Sequence, residues 1–163
     1  RPLRYIDEYY TIRQGEVFYM TELLANLEGL ERGPAGNTSL AVAFKLAQTM
    51  KEDEIIVVQE TEYTGAGKHI NPQLSFARDR GIELFFGNPD DEVPGKNIIL
   101  PEDPGMIDIK KLDLMGIKAS YMRNILRQKD GADFSDVELN YLSEDLKLTV
   151  EEVNELIKKV KEG

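Results

Sequence analysis

The sequence contains no cysteine. Disulfide scaffolds, Cys-ligated zinc, iron–sulfur clusters and thiol nucleophiles are therefore excluded. Histidine is nearly absent too, with His69 the single example. One histidine among scattered carboxylates lacks the spacing of a metal site, so no metal is expected. A Ser-His-Asp triad would have to use His69, yet no Gly-x-Ser-x-Gly elbow exists. His69 reads as a rim or helix-cap residue, with substrate contact as the alternative. Positive charge is scarce, with 20 Lys and Arg against 30 Asp and Glu and a net charge of −10. That balance argues against nucleic acid or an anionic membrane as the main partner, since both require clustered cations. No apolar run approaches the roughly 18 residues of a membrane span. No basic-then-apolar leader opens the chain. A cytoplasmic protein is expected. The chain also lacks an initiating Met and opens at Arg1-Pro2, which reads as a piece of a longer protein, natural or trimmed. Its 163 residues suit one domain with a small appendage.

What is present has an α/β rhythm. Val17, Met20, Leu23, Leu24 and Leu27 recur at helical spacing and predict a helix over 16–27, stopped by Gly29 and Gly33-Pro34. A second helix is predicted over 40–50 from Leu40, Ala41, Ala43, Phe44 and Ala47, with Asn37 or Thr38 as its N-cap. The β-branched run Ile55-Ile56-Val57-Val58 suits a parallel strand buried on both faces. A helix over 72–79, with Pro72 in its first turn, and a short strand over 82–86 follow. Helices and strands alternating through Gly-containing turns predict an α/β layered fold with a partial parallel sheet flanked by helices. Two strands are too few for a free-standing doubly wound sheet, so further strands are expected elsewhere.

The composition changes at Gly87. Four of the seven prolines lie between Pro89 and Pro104, which predicts a surface connection over 88–105 with one short apolar stretch at Asn97 to Leu100. Residues 1–87 would form the α/β part and 106–163 a helical appendage. In that appendage Ile117, Tyr121 and Ile125 share a face, and Ser135 precedes Val137, Tyr141 and Leu142. Thr149 with Glu152 forms a capping box ahead of the stripe Val150, Val153, Leu156, Ile157 and Val160. Residues 130–163 hold 10 acidic and 4 basic side chains, which reads as a solvated acidic face.

Two motifs could carry chemistry. Gly33-Pro34-Ala35-Gly36-Asn37-Thr38-Ser39 lies at a helix start, where backbone N–H groups and the dipole favour an anion and the polar side chains can hydrogen-bond a heteroaromatic nitrogen. The alternative is a turn with an N-cap. The second motif, Glu60-Thr61-Glu62-Tyr63-Thr64-Gly65-Ala66-Gly67-Lys68-His69, follows the predicted buried strand, where α/β proteins place ligands. A P-loop is excluded, because Glu62 stands where Gly is needed and His69 where Ser or Thr is needed. The glycines permit close backbone approach, with Tyr63, Thr64 and Lys68 at the rim. The alternative is a plain βα turn.

Taken together, Glu31 to Leu46, Ile55 to Val58 and Thr64 to Ile70 resemble the C-terminal end of fold type II pyridoxal-phosphate enzymes. That family includes threonine synthase, O-acetylserine sulfhydrylase and the tryptophan synthase β chain. The resemblance covers roughly Gly15 to Gly87. Beyond it, Gln59 to His69 and the helical tail most resemble the β subunits of a thiolase of ornithine fermentation that works with a smaller α subunit. The resemblance implies a tryptophan-synthase-β-like fold and pyridoxal phosphate as cofactor. It implies thiolysis of 2-amino-4-oxopentanoate with CoA to acetyl-CoA and alanine, with an α subunit and further copies of the chain itself in a homo-oligomer as partners. Gly36, Asn37, Thr38, Thr64 and Gly65 are the implied cofactor contacts. The family places a Ser or Thr opposite the pyridine nitrogen. Here Ala35-Gly36 occupies that position, so Asn37 or Thr38 would supply the contact. The Schiff-base lysine and the phosphate cradle lie upstream of this region in the family, and Lys68 does not inherit that role, so the chain alone is expected to be inactive. A related lyase or β-replacement enzyme is the alternative within the family. A non-enzymatic α/β ligand-binding or subunit-interaction module is the alternative outside it.

Overall fold

A computed structural model describes residues 2–60, 70, 74–130 and 133–162. The chain divides into two compact units, residues 10–110 and residues 1–9 with 111–163. The two-residue strands β1 (Tyr10–Thr11) and β4 (Lys110–Lys111) lie where the chain passes between them.

The first unit is α/β. Helix α2 (Gln14–Glu28) ends at Gly29, whose φ of 67° is the left-handed conformation that glycine tolerates and that lets its N–H bond the Ala25 carbonyl at 3.2 Å. Helix α3 (Pro34–Ala47) begins at Pro34. Helix α4 (Ser75–Asp79) then leads into β2 (Glu83–Phe86). Strand β3 (Asn97–Leu100) pairs parallel to β2, from Glu83 opposite Asn97 to Phe86 opposite Leu100. The sheet is thus small and parallel, with helices packed on it.

Strand β3 carries the α/β core. Ile98 and Leu100 join Phe18, Leu74 and Ala77, while Met20 and Ala41 pack with Ile107. The approach of α2 to β3 depends on Gly15, because a Cβ built there would lie 1.8 Å from the Ile99 carbonyl oxygen. Two carboxylates hold the same junction. Glu92 Oε2 accepts from the Ile99 N–H at 3.1 Å and from the Gly15 N–H at 3.3 Å. The buried Glu16 accepts from the Arg13 N–H at 2.8 Å and from the Asp108 N–H at 2.6 Å. Arg13 in turn pairs with Asp90.

Two expectations are corrected here. Residues 55–58 lie in no strand, and Ile55 and Val57 are 86% and 90% exposed. A buried strand needs a neighbour on its hydrogen-bonding edge and a cover on each face, and the described residues supply neither. The stretch 88–105, read as a surface connection, contains β3, whose Ile98, Ile99 and Leu100 are all buried. The apolar stretch expected at Asn97 to Leu100 is thus a buried strand that packs under α2 and not part of a surface connection.

The second unit is helical. It comprises α1 (Pro2–Tyr5), α5 (Leu114–Lys129), α6 (Asp136–Leu146) and α7 (Val150–Glu162). The Asp113 side chain caps α5 by accepting from the Met115 N–H at 2.9 Å. Ser135 and Glu138 form a reciprocal capping box on α6. Thr149 and Glu152 form the expected one on α7, with bonds of 2.7 and 3.2 Å. The stripe Val153, Leu156 and Ile157 is buried against Met122, Leu142 and Leu146. Tyr121 donates its hydroxyl proton to the buried Asp145 carboxylate at 2.7 Å.

Candidate functional site

The site lies at the start of α3. Gly33 takes an extended conformation, with φ −74° and ψ 156°, and Pro34 occupies the first helical turn, where its fixed φ suits the helix and its missing N–H costs nothing. The helix therefore starts ahead of Leu40, and neither Asn37 nor Thr38 is its N-cap. Both residues sit inside the helix, and their side chains do different work.

Asn37 is fully buried and points at α2. Its Nδ2 donates to Thr21 Oγ1 at 3.0 Å, and Thr21 in turn donates to the Val17 carbonyl at 2.8 Å. The same Nδ2 lies 3.5 Å from the Arg32 carbonyl. Both neighbours accept, which fixes the amide with its nitrogen toward them. The Oδ1 atom is buried and meets no donor among the described residues. Asn37 is thus a staple between α2 and α3.

Thr38 and Ser39 are exposed. Thr38 donates to the Pro34 carbonyl at 3.3 Å. Ser39 Oγ lies 2.8 Å from the Gly36 carbonyl and 3.1 Å from the Gln59 carbonyl, which ties the end of the 55–60 segment to α3. Glu60 follows Gln59. Both of its carboxylate oxygens are shielded from solvent and have no hydrogen-bond partner among the described residues. Burial raises its pKa above the ordinary value, and the nearby Arg32 charge opposes that rise. A half-buried carboxyl without a donor is a costly arrangement that calls for an incoming N–H or cation.

Beside α2, an open cleft of about 250 Å³ is lined by Tyr19, Glu22, Leu23, Asn26, Ile70 and Phe86. Glu22 accepts from the Ile70 N–H at 3.2 Å on its edge. Burial, aided by the Asp103 charge, raises the Tyr19 phenol above 10 and keeps it a neutral donor at pH 7.

The structure places Gly36 and Asn37 in the packed interface and Thr38 on the surface of the same helix. Thr64 and Gly65, with Tyr63, Lys68 and His69, lie outside the described residues. Sequence reading missed two features. Thr21 lies on α2 with no local sign of its bond to Asn37. Arg32 lacks a motif that would connect it to Glu60.

No family model matches the sequence, and no solved structure does. Over 161 residues the chain is 57% identical to a protein of Acetoanaerobium sticklandii named 2-amino-4-ketopentanoate thiolase beta subunit, covering 99% of this chain and 34% of that protein. This chain is similar to thiolase β subunits along nearly all its length. A second protein of that name, from an unknown prokaryotic organism, is 49% identical over 158 residues, 97% of this chain and 34% of its own. The chain spans about a third of the length of the curated relatives it matches. Among the described residues no helix is long and apolar enough to cross a membrane.

Proposed function

We propose that these residues form part of the β subunit of a thiolase acting on 2-amino-4-oxopentanoate, the compound the relatives' name calls 2-amino-4-ketopentanoate. The observation that carries this reading is 57% identity over 99% of the chain to a protein so named. The reaction transfers the acetyl group of the substrate to the CoA sulfur. The bond between C3 and C4 breaks, and the thiol proton is balanced by the new C–H of alanine. An α subunit would complete the enzyme, as the term β subunit suggests for the relatives.

The cofactor of this reading is pyridoxal phosphate, which supplies an electron sink when bound. The start of α3 fits its pyridine ring in one respect. Thr38 presents a hydroxyl on the exposed side of the helix, a neutral group that can face a ring nitrogen. Its only described bond is the 3.3 Å one to the Pro34 carbonyl. Asn37 holds the helix in place from behind and does not itself face out. Gly36, in the same turn, is also buried.

The test is a polypeptide of the relatives' length that carries these residues, purified with its α subunit. Supplied with 2-amino-4-oxopentanoate and CoA, it should form acetyl-CoA and alanine in equal amounts. Absence of both products overturns the reading. Thr38→Val should weaken binding of pyridoxal phosphate by one neutral hydrogen bond, about 0.5–1.5 kcal/mol, without lowering the melting temperature. Asn37→Ala should do the reverse, lowering stability through the lost bond to Thr21.

A further inference from the structure

We propose that the exposed side of α5 is the docking surface for the α subunit, which sets carboxylates opposite Arg123 and Arg127 and an apolar contact opposite Gly116 and Ile117. The proposal rests on the reading that the chain is part of a two-subunit thiolase, and it requires no particular reaction step.

Charge sets α5 apart from the rest of the chain. The sequence holds 30 acidic residues against 20 basic ones, yet α5 carries Lys118, Arg123, Arg127 and Lys129 and no Asp or Glu. Lys129 pairs with Glu138 of α6. Arg123 and Arg127 are exposed and have no ion pair among the described residues. Four residues apart, they stand on one face of the helix. An arginine presents a planar fork of donors that takes a carboxylate bidentately. Two such forks side by side, in a chain this rich in carboxylates, are left for acidic groups from outside it.

The opposite side of α5 is already anchored. Met122 is buried in the helical cluster, with Ala119, Tyr121, Ile125 and Leu126 packed against it. Gly116 lies away from that core, in the first turn. Its backbone is helical with no positive φ, and a Cβ built there would meet nothing within 4 Å. Glycine weakens a helix relative to alanine. Neither the backbone conformation nor the packing of the described residues asks for it at this position. The open space lets an incoming surface approach the α5 backbone closely. Met115 and Ile117 beside it, 46% and 41% exposed, offer that surface apolar area.

The occupant follows from shape and charge. A convex helix face cannot enclose a small molecule, whereas another protein can bury it. Apolar area at one end and unpaired cations at the other suit a partner that carries carboxylates. The α subunit is the separate chain that the reading supplies.

The test titrates the α subunit into the polypeptide of the relatives' length that carries these residues. The unsubstituted protein should bind, with affinity falling as salt rises. Arg123→Gln with Arg127→Gln should weaken binding about 10-fold and flatten its salt dependence. Gly116→Leu should weaken it by a similar factor. Both variants should melt, without the α subunit, at the temperature of the unsubstituted protein. Unchanged α-subunit affinity in both variants overturns the proposal. A shifted melting temperature in the double arginine variant alone also overturns it, because the face is then covered by its own polypeptide. A shift in the size of the β assembly does the same, with a second copy as the occupant. Failure of the unsubstituted protein to bind any α subunit overturns the two-subunit reading itself, and the proposal with it.

Discussion

The helical unit buries its apolar stripe against its own helices, with Val153, Leu156 and Ile157 of α7 on Met122, Leu142 and Leu146. The α/β unit behaves differently. Its core under β3 is well formed, yet Ile55, Val57, Phe85 and Phe86 remain largely exposed. The difference follows from how each kind of element satisfies its backbone. A helix bonds to itself and needs a neighbour for one face only. A strand needs a partner at its edge and often a cover on each face. A helical hairpin can therefore close with local material, whereas a short piece of sheet leaves edges and faces open.

The sharpest way to break this comparison is Gly15→Ala. The new Cβ would meet the Ile99 carbonyl at 1.8 Å, and backbone rather than a side-chain tip would have to move. Separating α2 from β3 would also break the Glu92 bonds to Gly15 and Ile99. A loss of about 4 kcal/mol or more is expected for residues 10–110, the exceptional range for one substitution. Hydrogen exchange should show the α/β amides losing protection while α6 and α7 keep theirs. Equal loss in both units would show that they unfold as one.

The reciprocal variant is Leu146→Ala. Leu146 is fully buried at the centre of the helical cluster. Removing it costs the transfer of the side chain and leaves a cavity, together about 2–5 kcal/mol. Chemical denaturation followed by exchange should place the loss in α5, α6 and α7. The α2 amides should be unaffected.

Acid should separate the units without any substitution. The bonds from Lys129 and Ser135 lower Glu138 from 4.5 to about 2, and Lys147 lowers Asp7 below 3.8. A carboxyl lowered in the folded state adds stability that is present above its unfolded pKa and lost as the pH falls through its folded one. Both groups belong to the helical unit. Glu16 of the α/β unit shifts the other way, raised chiefly by burial against the opposing bonds of Asp108 and Arg13. Its protonated form is favoured by folding, so its penalty is present above its raised pKa and is relieved as the pH falls. Between pH 5 and 2 the helical unit should therefore lose stability relative to the α/β unit. Residue-resolved NMR through that range reads the order, and simultaneous loss would remove the electrostatic distinction.

The two units were also unequally legible. The helical unit declares itself through local signs. Thr149 with Glu152, and the stripe over 150–160, predicted both the start of α7 and its buried face. The α/β unit depends on distant partners. The run 55–58 has strand chemistry but no partner among the described residues. Residues 97–100 were recognised as an apolar stretch but placed in a surface connection because prolines flank them, and their burial comes from α2, more than 65 residues earlier in the chain. At the site the glycines and polar residues were noticed, but Pro34 at the helix start shifted their roles. With the helix beginning there, Asn37 turns inward to Thr21 and Thr38 is left outside. No periodicity in a single segment announces a bond between residues 21 and 37.

The finest test concerns whether α7 is held by its cap or by its stripe. Thr149 Oγ1 accepts from the Glu152 N–H at 3.2 Å, and Glu152 Oε2 accepts from the Thr149 N–H at 2.7 Å. Both pairs are exposed, so water replaces them in part when they are lost. Thr149→Ala removes one acceptor and should cost roughly 1 kcal/mol. The bond from the Val153 N–H to the Thr149 carbonyl is backbone and should persist. The effect should therefore be confined to the first turn, raising exchange at residues 150–152 and leaving Leu156 and Ile157 protected. A helix of 13 residues is marginal by itself in water, so its persistence would measure what the buried stripe contributes. If Thr149→Ala instead opens the whole of α7, the cap governs the helix, and the helical unit is less self-sufficient than its core implies.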